Sequence, residues 1–186
     1  MLKRLESDTV AVLAGRRIDA EGTKVSQFSP TMIRIVKRAL SDLLIKEGVS
    51  LLICSAACGA DLLALDAALG AGIRCRVILP FEPSRFRQTS VIDRPGDWGA
   101  IFDRIISLVD SRGDLIVLRD EQGVKCAYQR ANEAIIREAI AASNPRRLAI
   151  IVWEGRPRLK DDTTSEFRRL ANAAGMLERI VPTICK

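Results

Sequence analysis

Any chemistry this chain performs comes from carboxylates, arginines, hydroxyls or backbone amides, because its 186 residues include no histidine. That excludes Ser-His-Asp and Cys-His catalysis, imidazole acid–base work and the common zinc sites. Three stretches concentrate the remaining reactive types. Residues 55–72 (SAACGADLLALDAALGAG) put Ser55, Ala56, Gly59 and Asp61 in a small-residue turn ahead of a helix. Residues 14–19 (AGRRID) put Gly15, Arg16, Arg17 and Asp19 directly after a short apolar run. Residues 162–166 (DTTSE) put Thr163, Thr164, Ser165 and Glu166 at a capped helix start. Arginines beside helix N-termini suit an anion, since the first N–H groups of a helix are unpaired and point at the ligand. The turn at Gly59 has two readings. Its small residues let a phosphate approach the backbone, or they let the helix lie close on the sheet.

These stretches are positioned by alternating apolar runs and amphipathic segments. Strands are expected at 9–14, 50–54, 74–79, 115–118, 148–153 and 179–184. Between them, Ser29 and Pro30 open a helix with a stripe of Ile33, Val36, Leu40 and Leu43 or Leu44. Residues 82–91 form a short helix or lid carrying Arg85, Arg87 and Ser90, followed by helices over 98–110, 126–143 and 162–174. Residues 120–124 form the loop after the fourth strand, and the charged run 154–162 (EGRPRLKDD) reads as a lid. Six strands alternating with helices predict a doubly wound, mostly parallel Rossmann-like sheet with helices on both faces, in a single domain spanning 1–186. Its ligand crevice then lies at the carboxyl ends of the strands, where strand order reverses.

With 48% hydrophobic residues the chain can bury a substantial core. It has no run long and apolar enough to span a membrane and no signal-peptide pattern at MLKRLESD, so the expectation is a cytosolic protein without membrane partners. Its five cysteines are scattered without a CxxC pair, and Cys54 and Cys75, in expected strands, read as small buried hydrophobes. No metal site or cofactor is expected. A formal charge of +6 suits an anionic small molecule or nucleic acid, but 4% aromatic content supplies few platforms for stacking single strands.

The central stretch resembles the signature of DNA-processing protein A through Ala57, Gly59, Asp61, Ala64, Ala68 and Leu69, led by Ser55. It departs in the pair Ser55 and Ala56, which lacks the family's leading glycine, and at Leu65, where the family has histidine. Arg130, Ala131 and Asn132 resemble that family's RNR segment, and AGRRID is similar to the first loop of YpsA-like proteins. DTTSE resembles the GTxxE end of the PGGxGTxxE motif of the LONELY GUY phosphoribohydrolases, with Leu159, Lys160 and Asp162 in place of glycines. Together these motifs resemble the SLOG superfamily.

The resemblance implies a nucleotide or nucleotide-derived ligand held by Gly15, Arg16, Arg17, Asp19, Ser55, Ala56, Gly59, Asp61, Asn132, Thr163, Thr164 and Ser165. It also implies a homodimer or higher homo-oligomer. In it, Asp61 takes a ribose or base hydrogen bond, or is simply favoured by the helix dipole. Three functions follow: a signal-sensing nucleotide-binding domain; a phosphoribohydrolase of nucleoside monophosphates, with Glu166 and Arg130 as catalytic pair; and single-stranded DNA binding, which the lack of a basic residue at Cys58 disfavours.

Overall fold

The computed structural model describes residues 8–118, 124–158 and 161–184. Of the expected features, most of the loop over 120–124, together with Leu159, Lys160 and Cys185, lies outside those residues. The strands are β1 (Thr9–Gly15), β2 (Val49–Cys54), β3 (Arg74–Leu79), β4 (Leu115–Val117), β5 (Arg146–Trp153) and β6 (Leu177–Pro182). The helices are α1 (Ile33–Lys46), α2 (Ala60–Gly70), α3 (Pro83–Ser90), α4 (Trp98–Ser111), α5 (Val124–Ala141) and α6 (Thr163–Ala173). All six strands pair in parallel, in the order β4-β3-β2-β1-β5-β6. This is the doubly wound, Rossmann-like α/β sheet that the alternation of strands and helices predicts.

Alternation along each strand explains the layers. Ala11 and Leu13 of β1, with Leu148, Ile150 and Val152 of β5, face a core shared with α1, α2 and α4. Val10 and Val12, with Ala149, Ile151 and Trp153, face the opposite core, where Ile135 and Ala139 of α5 and Phe167 and Ala171 of α6 pack. Burial on both faces turns these strands into continuous apolar runs, which makes them legible in sequence. Helix α2 is apolar nearly all round, with Leu62, Leu63, Ala64, Leu65, Ala67 and Ala68 buried, because it is packed on several sides rather than one.

Two strands differ from expectation by two residues, and three others by one. β5 begins at Arg146 because Arg146 and Arg147 pair with Thr9 and Val10, while their guanidiniums bind Glu47 and the carbonyls of Ala139 and Ile140. β6 starts at Leu177 and ends at Pro182. Gly175, at φ +70°, turns the chain out of α6, and Leu177 and Glu178 pair at once with Leu148 and Ala149. No helix among the described residues is long and apolar enough to cross a membrane.

The chain runs outward from β1 through β2 and β3 to β4, then returns along α5 to lay β5 on the other side of β1. Strand order therefore reverses between β1 and β5, so the loops leaving Gly15 and Trp153 diverge around a crevice.

Candidate functional site

Two adjoining chambers occupy that crevice. The first, about 290 Å³, is lined by Gly15, Arg16, Arg17, Asp19, Arg94, Arg158, Thr163 and Thr164 among others. The second, about 250 Å³, adds Ser55, Asp61, Phe86, Ser90, Tyr128 and Asn132. Gly15, Arg17, Arg158, Thr163 and Thr164 line both and form a common wall. The first loop and the start of α6 thus converge as the topology requires.

Close packing at this rim depends on two glycines. A Cβ on Gly15 would stand 2.4 Å from Ala60 Cβ and 2.6 Å from Val152 Cβ, so a bare backbone is what lets β1, α2 and β5 meet. Gly59 has φ +93°, and a Cβ there would lie 2.7 Å from the Arg16 carbonyl oxygen and 2.8 Å from the Ile18 nitrogen. The side of Gly59 where a Cβ would stand abuts the backbone of the first loop rather than the sheet. Three amides around the start of α2 are occupied by protein. Ala60 N donates to Arg16 O (3.1 Å), Cys58 N to Ser90 O (3.0 Å) and Ala57 N to Asp61 Oδ2 (3.2 Å).

Arg16 and Arg17 are neighbours with different environments. Arg16 is buried, and its guanidinium donates to both Glu154 oxygens (2.7 and 3.0 Å), both Asp162 oxygens (2.6 and 3.0 Å) and the Arg156 carbonyl (2.8 Å). It also lies 5.6 Å from the Trp153 ring centroid, with Arg168 5.3 Å from the same ring. Arg16 therefore pins both ends of the expected lid over 154–162. Burial pulls the Asp162 carboxyl pKa upward, but hydrogen bonds from Arg16, Arg158 N and Ser165 N outweigh it and hold the pKa below its ordinary value.

Arg17 reaches the chamber wall and donates to Asp93. Its Nε, like that of Arg94, is buried without a hydrogen-bond partner. Arg158 stands exposed at the mouth of the cleft, and its guanidinium forms no ion pair with a described residue. Desolvation, with repulsion from Arg16 and Arg94, outweighs attraction to Asp162 and Glu154 and pulls its pKa below the usual arginine value. A bound anion would offset the repulsion with an opposite charge.

The second chamber is less polar. Phe86 and Tyr128 contribute rings, and the Tyr128 hydroxyl shares a hydrogen bond with Ser90 Oγ at 2.6 Å. Asn132 Nδ2 donates to the Thr163 carbonyl at 3.1 Å, tying α5 to the start of α6. Asp61 is only 8% exposed, and burial raises its pKa to about 7, against the opposing effects of the Ala57 amide and the Arg17 charge. Burial likewise pushes up the Cys58 thiol, against hydrogen bonding to Arg17.

The remaining sequence-derived residues fall outside the chambers or serve the scaffold. Asp19 lines the first chamber, but its carboxylate is engaged by the amides of Gln27 and Phe28 and by Ser26 Oγ. Ala56 is fully buried, and Ser165 N donates to Asp162, completing the α6 cap. Arg130 and Glu166 line neither chamber. In the expected lid over 82–91, Arg87 is paired with Asp103, Arg85 stacks on Phe81, and Ser90 lines the second chamber. Sequence reasoning missed Arg94 and Arg158. Both lie in loops at the carboxyl edge of the sheet, the one signal that could have marked them. Compared with known proteins, the chain matches no protein-family model and no curated protein.

Proposed function

We propose that this protein binds a nucleotide or nucleotide-derived ligand, with its phosphate against the wall shared by the two chambers, and acts as a sensing domain. The observation that carries this reading is the Arg158 guanidinium. It is a cation in a cleft at the strand-order reversal, in no ion pair with a described carboxylate though attracted by Asp162 and Glu154, beside Arg17, Arg94 and the first turn of α6. The buried Nε atoms of Arg17 and Arg94 make no hydrogen bond and add donors near the same cleft, although both guanidiniums are ion-paired with Asp93. The SLOG-like motifs support a nucleotide as the ligand class. The phosphoribohydrolase reading draws less support, because its glutamate and arginine, Glu166 and Arg130, do not line the cleft.

Calorimetric titration with AMP, ADP-ribose and adenosine tests the proposal. The two phosphate-bearing ligands should bind, and adenosine should bind at least about tenfold more weakly. Arg158→Ala should weaken ADP-ribose binding by roughly tenfold or more, as expected for a charge-assisted hydrogen bond. Equal affinity for adenosine, an unchanged Arg158→Ala variant, or no binding of any phosphate-bearing ligand would overturn it.

A further inference from the structure

The second chamber holds a carboxylate that the phosphate reading leaves unused and, at first sight, makes unwelcome. Asp61 lies in the wall that also contains Arg17 and Arg158, and an ionised carboxylate there would repel an incoming anion. Its Oδ2 accepts from Ala57 N, which fixes the side chain toward the chamber at the start of α2. The titratable and charged groups around it are Arg17 from the first loop, Asp93 beyond α3, Cys54 at the end of β2, Cys58 in its own turn, Tyr128 of α5 and Arg158 before α6. Of these, Arg17 is the cation that favours the ionised form of Asp61. Arg17, paired with Asp93, also lines the shared wall, beside Arg158, on which an anion would settle.

Resting on the phosphate reading, we propose that Asp61 is the proton-taking partner of the bound anion. Occupancy of the shared wall draws a proton from solvent onto the Asp61 carboxylate, which then donates a hydrogen bond into the second chamber. The site thereby selects phosphate esters that present a hydrogen-bond acceptor, a sugar oxygen or a base nitrogen, beside the phosphate. The physical cause is local. A phosphate beside Arg17, which already pairs with Asp93, further offsets that cation's stabilisation of the Asp61 carboxylate and adds a like charge in the cleft. The unoccupied site already sits near the balance point, with Asp61 titrating at about 7, so a modest further rise has a measurable effect near neutrality. The phenol of Tyr128 and the carbons of Phe86 limit the water that would otherwise screen the exchange.

ADP-ribose is a suitable probe because its diphosphate, esterified at both ends, does not itself titrate near neutrality. Titration at pH 7 in buffers of different ionisation enthalpy should show uptake of about 0.4 proton per ligand for a one-unit rise at Asp61. Affinity should be about fivefold higher at pH 6 than at pH 8. Asp61→Asn, which keeps an acceptor for Ala57 N, should bind without proton uptake and with an affinity independent of pH. Wild-type binding without proton uptake, or uptake that persists in Asp61→Asn, overturns this proposal while leaving the phosphate reading intact. Failure of ADP-ribose to bind at pH 6 overturns both.

Discussion

Replacing Arg16 with methionine removes the cation that joins β1 to both ends of the loop before α6. Its guanidinium donates five hydrogen bonds to Glu154, Asp162 and the Arg156 carbonyl. The side chains of Arg16, Glu154 and Asp162 are only 2%, 9% and 6% exposed, so the buried-pair regime applies rather than that of a surface salt bridge. Methionine fills much of the aliphatic volume but leaves two carboxylates facing each other. Breaking a buried pair from one side costs about 3–5 kcal/mol, a large share of the roughly 5–15 kcal/mol of a typical domain. For a chain of this length that lowers Tm by roughly 6–20 °C.

The pH dependence has a definite sign. Asp162 has a depressed native pKa, so its contribution to wild-type stability is present above the unfolded carboxylate value and is lost as pH falls through the native one. Without Arg16, burial raises the Asp162 pKa and acid relieves the repulsion, so the deficit of the variant narrows from pH 7.5 toward pH 4.5. Urea unfolding at several pH values measures this. A methionine variant within about 0.5 kcal/mol of wild type at pH 7.5, the range of an ordinary surface change, would refute the reasoning. So would a deficit that grows on acidification.

The opposite sign is expected at Asp61. The native state there holds a proton between about pH 4 and 7 that the unfolded chain has released, so wild-type stability falls as pH rises through that window, by up to about 4 kcal/mol. Thermal melts of Asp61→Asn should be flatter across the window and exceed wild type at pH 8. Gly59→Ala places a methyl against the Arg16 carbonyl at φ +93° and should cost about 2–3 kcal/mol in urea unfolding, with weakened ADP-ribose binding as the first loop shifts. Glu166→Gln should stay within about 0.5 kcal/mol of wild type and leave ADP-ribose affinity unchanged in calorimetry.

The sheet was legible because its central strands are buried on both faces. TVAVLA, LLIC, VIL and LAIIVW are apolar runs for one physical reason, and Gly15, Ser55 and Pro80 mark the ends of the first three. The meeting of Gly15 with Thr163 and Thr164 followed from topology once that sheet was assigned. The division of labour between Arg16 and Arg17 did not. Adjacent and identical in type, they part because one lies toward Trp153, Glu154 and Asp162 and the other toward Asp93, pairings that span 76 to 146 residues and leave no trace in local pattern. Gly59 was ambiguous for a related reason. A glycine that admits a ligand and one that admits a neighbouring backbone look alike until the neighbour is placed. Arg94 and Arg158 sit in irregular loops, where no periodicity assigns a direction to a side chain.

A crystal structure of the protein with ADP-ribose tests the central claim most directly. The diphosphate should lie against the shared wall, with its oxygens within hydrogen-bond distance of Arg158 and of the first amides of α6. A diphosphate seated elsewhere, such as the groove of Arg34, Lys37 and Arg38 between α1 and α2, with the wall of Arg17 and Arg158 unoccupied, would contradict it.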